Sequence, residues 1–98
     1  MNDNDVRLNG EVIGREELRH TPAGIPILAF VLKHHSTQIE AGTPRQLDFE
    51  IDAMAVGETA QSMNAMQPGQ RVRLHGFLAS RSQRSARVVL HVARFEFE

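Results

Sequence analysis

The chain has 98 residues, of which 41% are hydrophobic and 23% are charged, and it contains no cysteine. This length accommodates one domain and not two, and the lack of cysteine excludes disulfides and thiolate chemistry. The apolar run at 25–32 is far shorter than the roughly 20 residues of a membrane-spanning helix. Residues 1–5 are polar and acidic and lack the apolar core of a secretory signal, so we expect them to be disordered and the protein to be cytoplasmic.

Charge is distributed unevenly along the chain, although the formal net charge is only −1. Residues 1–58 hold ten acidic and five basic residues, a net charge of −5, whereas residues 59–98 hold six arginines and two glutamates, a net charge of +4. A basic C-terminal part attracts polyanions such as nucleic acid. A chance asymmetry in a short chain is the alternative explanation.

Alternation of apolar and polar residues predicts strands along most of the chain. The first strand covers about 6–19, and Gly14 provides a bulge where the alternation breaks. A turn at 21–24 leads to the second strand at about 27–36. A polar loop of nine residues is then expected at 36–44.

The third strand has the clearest alternation, and its two faces differ in chemistry. One face is apolar and is predicted to lie in the core: Leu47, Phe49, Ile51 and Ala53. The other face is polar and mostly acidic: Gln46, Asp48, Glu50 and Asp52. A short helix is expected between 55 and 67, where three apolar residues recur at helical spacing: Ala60, Met63 and Met66.

The last two strands, at about 71–80 and 87–97, are predicted to form a hairpin centred on Gln83. This register pairs Leu74 with Val92, Gly76 with Leu90 and Leu78 with Val88 on an apolar face. On the other face it pairs His75 with His91, Phe77 with Val89 and Arg73 with Ala93. A face with arginine, histidine and an aromatic ring suits nucleic acid. The places of Phe95 and Phe97 stay open, because they depend on whether the last strand carries a bulge.

Five strands with one short helix between the third and the fourth is the element order of an OB-fold. The OB-fold is an all-β, five-stranded Greek-key barrel that binds oligonucleotides. Another small barrel, such as an SH3-like barrel, has a similar pattern. The sequence therefore predicts one all-β barrel domain over 1–98, with the OB-fold preferred.

Catalytic and metal sites have little support in the sequence. It contains no phosphate-binding glycine loop and no G-x-S-x-G serine motif. The acidic row of the third strand is more typical of a solvated face than of catalysis. His34 and His35 point to opposite faces of a strand, and no cysteine can complete a zinc site. We expect no enzymatic activity, no cofactor and no metal.

The segment 81–87 is the strongest candidate for function. Its three arginines and small neighbours suit bidentate phosphate contacts, and an OB-fold places this loop beside its oligonucleotide groove. The alternative is a solvated loop tip. Five phenylalanines are the only large aromatic residues, so base stacking should contribute little. Phe77 is the ring expected to face a ligand, and weaker candidates on the same hairpin face are Arg73, His75 and His91.

Several short motifs, in the same order, resemble the primosomal replication protein N (PriB) family of small bacterial relatives of single-stranded DNA-binding protein. They are TPAGIP at 21–26, FVLKHHS at 30–36, EAG at 40–42, RQ at 45–46, GFL at 76–78 and LH at 90–91. The resemblance implies a bacterial, cytoplasmic homodimer of OB-folds that binds single-stranded DNA. It also implies a role in restarting stalled replication forks as a bridge between the PriA helicase and DnaT. It implies DNA contacts through Lys33, His35, Arg45, Arg81, Arg84 and Arg87, with Arg19 or His20 as weaker candidates.

Two positions depart from the family pattern. The family type carries an aromatic residue in the loop after the second strand, where this chain has Thr43, and another at the start of the third strand, where it has Asp48. We therefore expect weaker and more salt-sensitive DNA binding than the family type. The alternative function is a protein-interaction adaptor of the primosome with little DNA affinity, whose acidic third strand contacts the helicase.

Overall fold

A computed structural model describes residues 3–98 of the chain. The elements follow in the order β1 (Val6–Arg15), β2 (Arg19–His20), β3 (Pro26–Glu40), β4 (Thr43–Val56), α1 (Glu58–Met63), β5 (Arg71–Ser80) and β6 (Val88–Phe97). Five long strands close a barrel in the order β1-β5-β6-β4-β3, because β3 also pairs with β1. Only β4 and β6 pair in parallel. The predicted all-β OB-fold barrel is confirmed, and its predicted strands two to five are β3 to β6.

A bend in β1 lets one strand pair with two neighbours. Its first half pairs with β5 and its second half with β3, and the register shift lies between Val12 and Gly14, as predicted. Near the bend, a Cβ on Gly10 would lie 2.3 Å from the carbonyl oxygen of Lys33. Only glycine allows β1 and β3 to approach this closely, which closes the barrel. The predicted first strand ran to 19, whereas β1 ends at Arg15.

The barrel interior consists of aliphatic and methionine side chains. The largest fully buried ones are Val12, Leu28, Leu32, Met63, Met66, Val72, Leu74 and Leu90. α1 packs against β3, β4 and β6 and contributes Ala60 and Met63, which confirms the predicted short helix. Met66, predicted on the same helical face, is buried but lies after the end of α1. Burial of each large side chain stabilises the fold by about 1.5–3 kcal/mol.

A continuous hairpin of β3 and β4 replaces the predicted loop at 36–44. The two strands pair without a register shift as far as Glu40 and Thr43. Ala41 and Gly42 form the turn, with φ of 51° and 78°. Nearly all side chains of this stretch are exposed. A strand that is solvated on both faces has no apolar alternation, so its sequence is polar like that of a loop.

Phe49 lies outside the core in which the sequence predicts it. Its side chain is 40% exposed, and its ring packs against His34 with 5.1 Å between the ring centroids. β4 meets β6 only at Ala53 and Met54. Phe49 is therefore on the part of the β3–β4 hairpin that extends beyond the barrel.

The β5–β6 hairpin has a register two residues away from the predicted one. Leu78 lies opposite Leu90, and Gly76 lies opposite Val92. Because side chains alternate with a period of two, the shift keeps Leu74, Leu90 and Val92 buried on the inner face, whereas Val88, also predicted there, is 49% exposed.

A bulge further along the same hairpin changes the predicted pairs of polar residues. The register shifts between His75 and Gly76, so that His75 lies opposite Arg94 and Phe77 lies opposite His91. The predicted pairs of His75 with His91 and of Phe77 with Val89 are therefore wrong, as is that of Arg73 with Ala93, since Arg73 lies opposite Glu96. The bulge also settles the last phenylalanines: Phe95 is half-buried, and Phe97 is 45% exposed.

The N-terminal segment contacts β5. The Asn4 side chain donates to the Leu78 carbonyl oxygen over 2.8 Å and accepts from the Leu78 amide over 2.9 Å. These bonds hold Asn4 against β5. The segment 1–5, for which the sequence predicts disorder, includes Met1 and Asn2, which lie outside the described residues. Within residues 3–98, no helix has the length and apolar character needed to span a membrane.

Candidate nucleic-acid interface

A groove of about 480 Å³ crosses the outer face of the barrel. Its floor consists of outward-facing residues of β3 and β4. One wall comprises the end of β1, the adjacent Glu16 and Arg19 of β2, and the other is Arg81 at the start of the β5–β6 loop. The charged side chains that line it are Arg15, Glu16, Arg19, Asp52 and Arg81, and its partly exposed apolar lining includes Val31 and Met54. In OB-folds this face, between these two loops, is where oligonucleotides bind.

Two arginines give the groove its free positive charge. Arg19 stands on β2 and Arg81 at the start of the β5–β6 loop, so they belong to different walls. Both side chains are exposed, and neither forms an ion pair within residues 3–98. Arg84 is exposed in the same loop and is likewise unpaired there. Guanidinium groups in this state are available for bidentate contacts to phosphate.

The β5–β6 loop is closed by its own hydrogen bonds. The Arg81 amide donates to the Arg87 carbonyl oxygen over 2.9 Å, and the Ser85 amide donates to the Ser82 carbonyl oxygen over 3.2 Å. The Ser85 hydroxyl oxygen accepts from the Arg87 amide over 3.1 Å. The small serines that the sequence places between the arginines thus build the turn that presents them.

Two other predicted DNA-contacting arginines have acidic partners. Arg87 donates to Asp52 over 2.6 Å. Arg45 donates to both carboxylate oxygens of Glu40 over 2.9 Å each, across the turn of the β3–β4 hairpin. Arg45 therefore lies away from the groove, and the charge of both arginines is compensated locally.

The basic residues of β3 are matched by acidic residues of β4. His35 Nδ1 lies 2.8 Å from Asp48 Oδ1, and Lys33 lies opposite Glu50 in the register. In the acidic row that the sequence predicts on this strand, Asp48 and Asp52 thus each contact a basic side chain, whereas Glu50 lies opposite Lys33 without an ion pair within residues 3–98.

Sequence reasoning missed the role of Arg15. Its guanidinium donates to the carbonyl oxygens of Asn64 and Met66 over 2.7 and 2.9 Å, and to Asn64 Oδ1 over 2.9 Å. These bonds fasten the segment after α1 to the end of β1, so Arg15 lines the groove with its donors already occupied. The partners are 49 and 51 residues away in the chain, and no local pattern points to such a contact.

The other predicted residues lie outside the groove. The ring of Phe77 stacks on that of His91, with centroids 5.2 Å apart and planes at 9°, and neither residue lines the groove. Arg73 pairs with Glu96 and Glu98 at 3.3 and 3.4 Å. His75, on the same strand, contacts Asp5 and Arg94, and His20 is exposed on β2. In the described part of the chain, no group of three or more histidine, aspartate or glutamate side chains is placed to hold a metal ion.

The sequence matches a known family over most of its length. The family model described as "Another single-strand binding protein family" matches residues 4–94. The Replication restart protein PriB of Nitrosomonas europaea is 39% identical over 92 residues, which cover 94% of this chain and 85% of that protein. The protein of the same name from Bordetella pertussis is 37% identical over 89 residues, or 91% and 83% of the two chains.

The fold matches solved structures at similar coverage. A PriB structure from Ralstonia solanacearum has a TM-score of 0.88 and 31% identity, and the match covers 99% of this chain and 100% of that chain. The single-stranded DNA-binding protein of Thermus aquaticus has a TM-score of 0.78 and 22% identity over 97% of this chain and 50% of that chain. At that identity the second match supports the fold alone.

Proposed function

The chain belongs to the single-strand binding protein family that includes the replication restart proteins PriB, and on this premise we propose that it binds single-stranded DNA in the groove between β2 and the β5–β6 loop. The observation that carries the proposal is the presence of Arg19 and Arg81 on the two walls of this groove, without an acidic partner within residues 3–98. Val31 and Met54 between them offer apolar contact to the bases. Arg84, in the same loop as Arg81, adds a further basic side chain along the proposed path of the DNA strand.

DNA binding by this chain is mainly electrostatic. Phe30 is the one aromatic residue among those lining the groove, and it is only 3% exposed. At the two positions where the family type has an aromatic residue, Thr43 lies next to the hairpin turn and Asp48 pairs with His35. Each missing stacking contact removes about 1–3 kcal/mol of binding free energy. The affinity then depends on phosphate contacts and falls steeply with salt.

The biological setting we propose is the restart of stalled replication forks. The names of the relatives support this setting, and the family resemblance extends it to a cytoplasmic homodimer that bridges the PriA helicase to DnaT. We assign the chain no catalytic role. A second candidate function is a primosomal adaptor with little DNA affinity. It is favoured by one observation: Lys33, His35, Arg45 and Arg87 all have an acidic residue beside them.

Reversal of the free charges separates the two functions. We would combine Arg81→Glu with Arg84→Glu and measure the anisotropy of a labelled oligo-dT, together with binding to immobilised PriA helicase. The proposal predicts a loss of DNA affinity of at least about tenfold at low salt, with helicase binding unchanged. Arg71→Glu makes half of this charge change on β5, outside the groove, and serves as the control.

Two results would contradict the proposal. If the double variant binds oligo-dT as tightly as the unchanged chain, the groove is not the DNA site. If the unchanged chain binds the helicase but no DNA at low salt, the adaptor function is correct.

A further inference from the structure

A second surface of basic and aromatic side chains lies on β1, β5 and β6, outside the groove. We call it the Arg94 face and define it by Arg7, His75, Phe77, His91 and Arg94. Arg7, His75 and Arg94 form one row across the three strands, and Phe77 and His91 form the next. An open depression of about 450 Å³ runs along the first row.

The backbone of β5 and β6 is shaped to present Arg94. Val92 is buried in the barrel, and in a regular strand Arg94 would point the same way. The bulge leaves Ala93 unpaired and turns Arg94 outward. At Gly76 the strands approach so closely that a Cβ would lie 1.7 Å from the carbonyl oxygen of His91. Glycine and bulge together therefore place a charged residue where alternation would bury it.

His75 and Asp5 orient the guanidinium of Arg94. Arg94 Nη2 donates to His75 Nδ1, and His75 Nε2 donates to Asp5 Oδ1 over 2.5 Å. The remaining N–H groups of Arg94 stay available. Neither Arg94 nor Arg7 forms an ion pair in the part of the chain that the structure describes.

Phe77 adds apolar contact area beside these cations. Its side chain is 44% exposed and is supported from one side by the ring of His91. Aromatic and arginine side chains are enriched in protein interfaces, and they often carry most of the binding energy. The Arg94 face thus has the composition of a protein-binding surface.

We propose that the Arg94 face docks an acidic segment of another protein. Carboxylates of that segment bind Arg94 and Arg7, and a large apolar side chain packs on Phe77. A protein segment fits because it can place a large apolar side chain on Phe77 beside carboxylates that bind Arg94 and Arg7. The inference rests on the proposed function in one respect: a protein that bridges two partners must bind other proteins. It does not involve the DNA groove.

The probe for the test is the synthetic peptide Glu-Glu-Phe-Glu-Asp-Leu-Glu-Glu, used with the full chain. We expect the peptide to shift the amide NMR signals of 73–77 and 91–95 and to leave those of the β5–β6 loop in place. Arg94→Glu should weaken peptide binding by at least about tenfold, and Phe77→Ala by at least about fivefold. Arg94→Lys keeps the charge but loses the bidentate contact, so its affinity for the peptide should lie between those of the unchanged chain and of Arg94→Glu.

Controls separate this proposal from DNA binding. Arg71→Glu makes the same charge change on β5 and should leave peptide binding nearly unchanged. All variants of the Arg94 face should bind oligo-dT like the unchanged chain, and the double variant at Arg81 and Arg84 should still bind the peptide. Failure of the groove proposal would appear only in the DNA measurements.

Four results would overturn the inference. The first is an absence of peptide binding. The second is peptide binding that Arg94→Glu leaves unchanged, in a variant with a native NMR spectrum. The third is displacement of the peptide by oligo-dT, which would indicate a nucleic-acid surface. The fourth is self-association that competes with the peptide and disappears in Phe77→Ala. It would show that the face binds a second copy of this chain.

Discussion

The guanidinium of Arg87 donates a 2.6 Å hydrogen bond to the carboxylate of Asp52, which lines the groove. This pair connects the end of the β5–β6 loop to the middle of β4. It neutralises the carboxylate that would otherwise repel a bound phosphate, and it also occupies one of the three arginines of the loop. Arg19 and Arg81 of the groove and Arg84 of the adjacent loop form no ion pair within residues 3–98, and Glu16 is the other carboxylate that lines the groove.

Release of Arg87 should strengthen DNA binding. In Asp52→Asn the arginine loses its partner and can contact phosphate, so we expect the slope of log affinity against log salt to steepen by about 0.7. Anisotropy titrations of labelled oligo-dT over a salt series measure this slope. Glu58→Gln removes the same charge on α1 and should leave the slope nearly unchanged. An unaltered slope in Asp52→Asn would mean that Arg87 does not reach the DNA.

Arg15 should contribute to stability and not to DNA binding. Arg15→Lys keeps the charge but cannot reach the carbonyl oxygens of Asn64 and Met66 together, so we expect a loss of about 1–3 kcal/mol in the free energy of unfolding. Urea denaturation measures this loss. Arg45→Lys alters an exposed ion pair and should cost less than about 1 kcal/mol. A strong loss of oligo-dT affinity in folded Arg15→Lys would instead place Arg15 in the DNA site.

Gly76 should tolerate no side chain. A Cβ there would overlap the carbonyl oxygen of His91, so Gly76→Ala should force the strands apart and cost about 3 kcal/mol or more. Gly14 lies at the other bulge, has nothing within 4 Å of a Cβ and has no positive φ. Gly14→Ala is therefore the matched control and should cost much less. Equal losses in urea denaturation would refute the close approach at Gly76.

A substitution in the turn of the β3–β4 hairpin should raise the stability of the protein. Ala41 is the non-glycine residue with positive φ within residues 3–98, and Gly42 follows it. Asn-Gly is the preferred pair for such two-residue turns, so Ala41→Asn should raise the free energy of unfolding by about 0.5–1 kcal/mol. Ala23→Asn also precedes a glycine, but Ala23 has no positive φ, and it should give no such gain. A lower Tm for Ala41→Asn would contradict this account of the turn.

The barrel was predictable because the sequence patterns that indicate its strands, its bulge and its helix are local. Alternation marked the strands, glycine marked the bulge of β1, and the spacing of Ala60, Met63 and Met66 marked the helical face. The register of β5 and β6 was not predictable, since a shift of two residues pairs apolar with apolar residues equally well. The β3–β4 hairpin was mistaken for a loop because a strand exposed on both faces carries no periodic signal.

The types of residue in the candidate site were predictable from the sequence, but the ion pairs that they form were not. The arginines of the β5–β6 loop were visible as a cluster, and Arg81 and Arg84 form no ion pair within residues 3–98. The pairs of Arg87 with Asp52 and of His35 with Asp48 depend on which residues face each other across strands. That information appears only once the register is known, so the sequence overstated the number of free cations.

The most direct test of the central claim is the salt dependence of binding to a labelled oligo-dT. The label is needed because the chain has no tryptophan and no tyrosine. With three free arginines facing phosphate, we predict a slope of log affinity against log salt of about −2, at about −0.7 per contact. Tight binding with a flat slope, or no binding at the lowest salt concentration, would contradict the account.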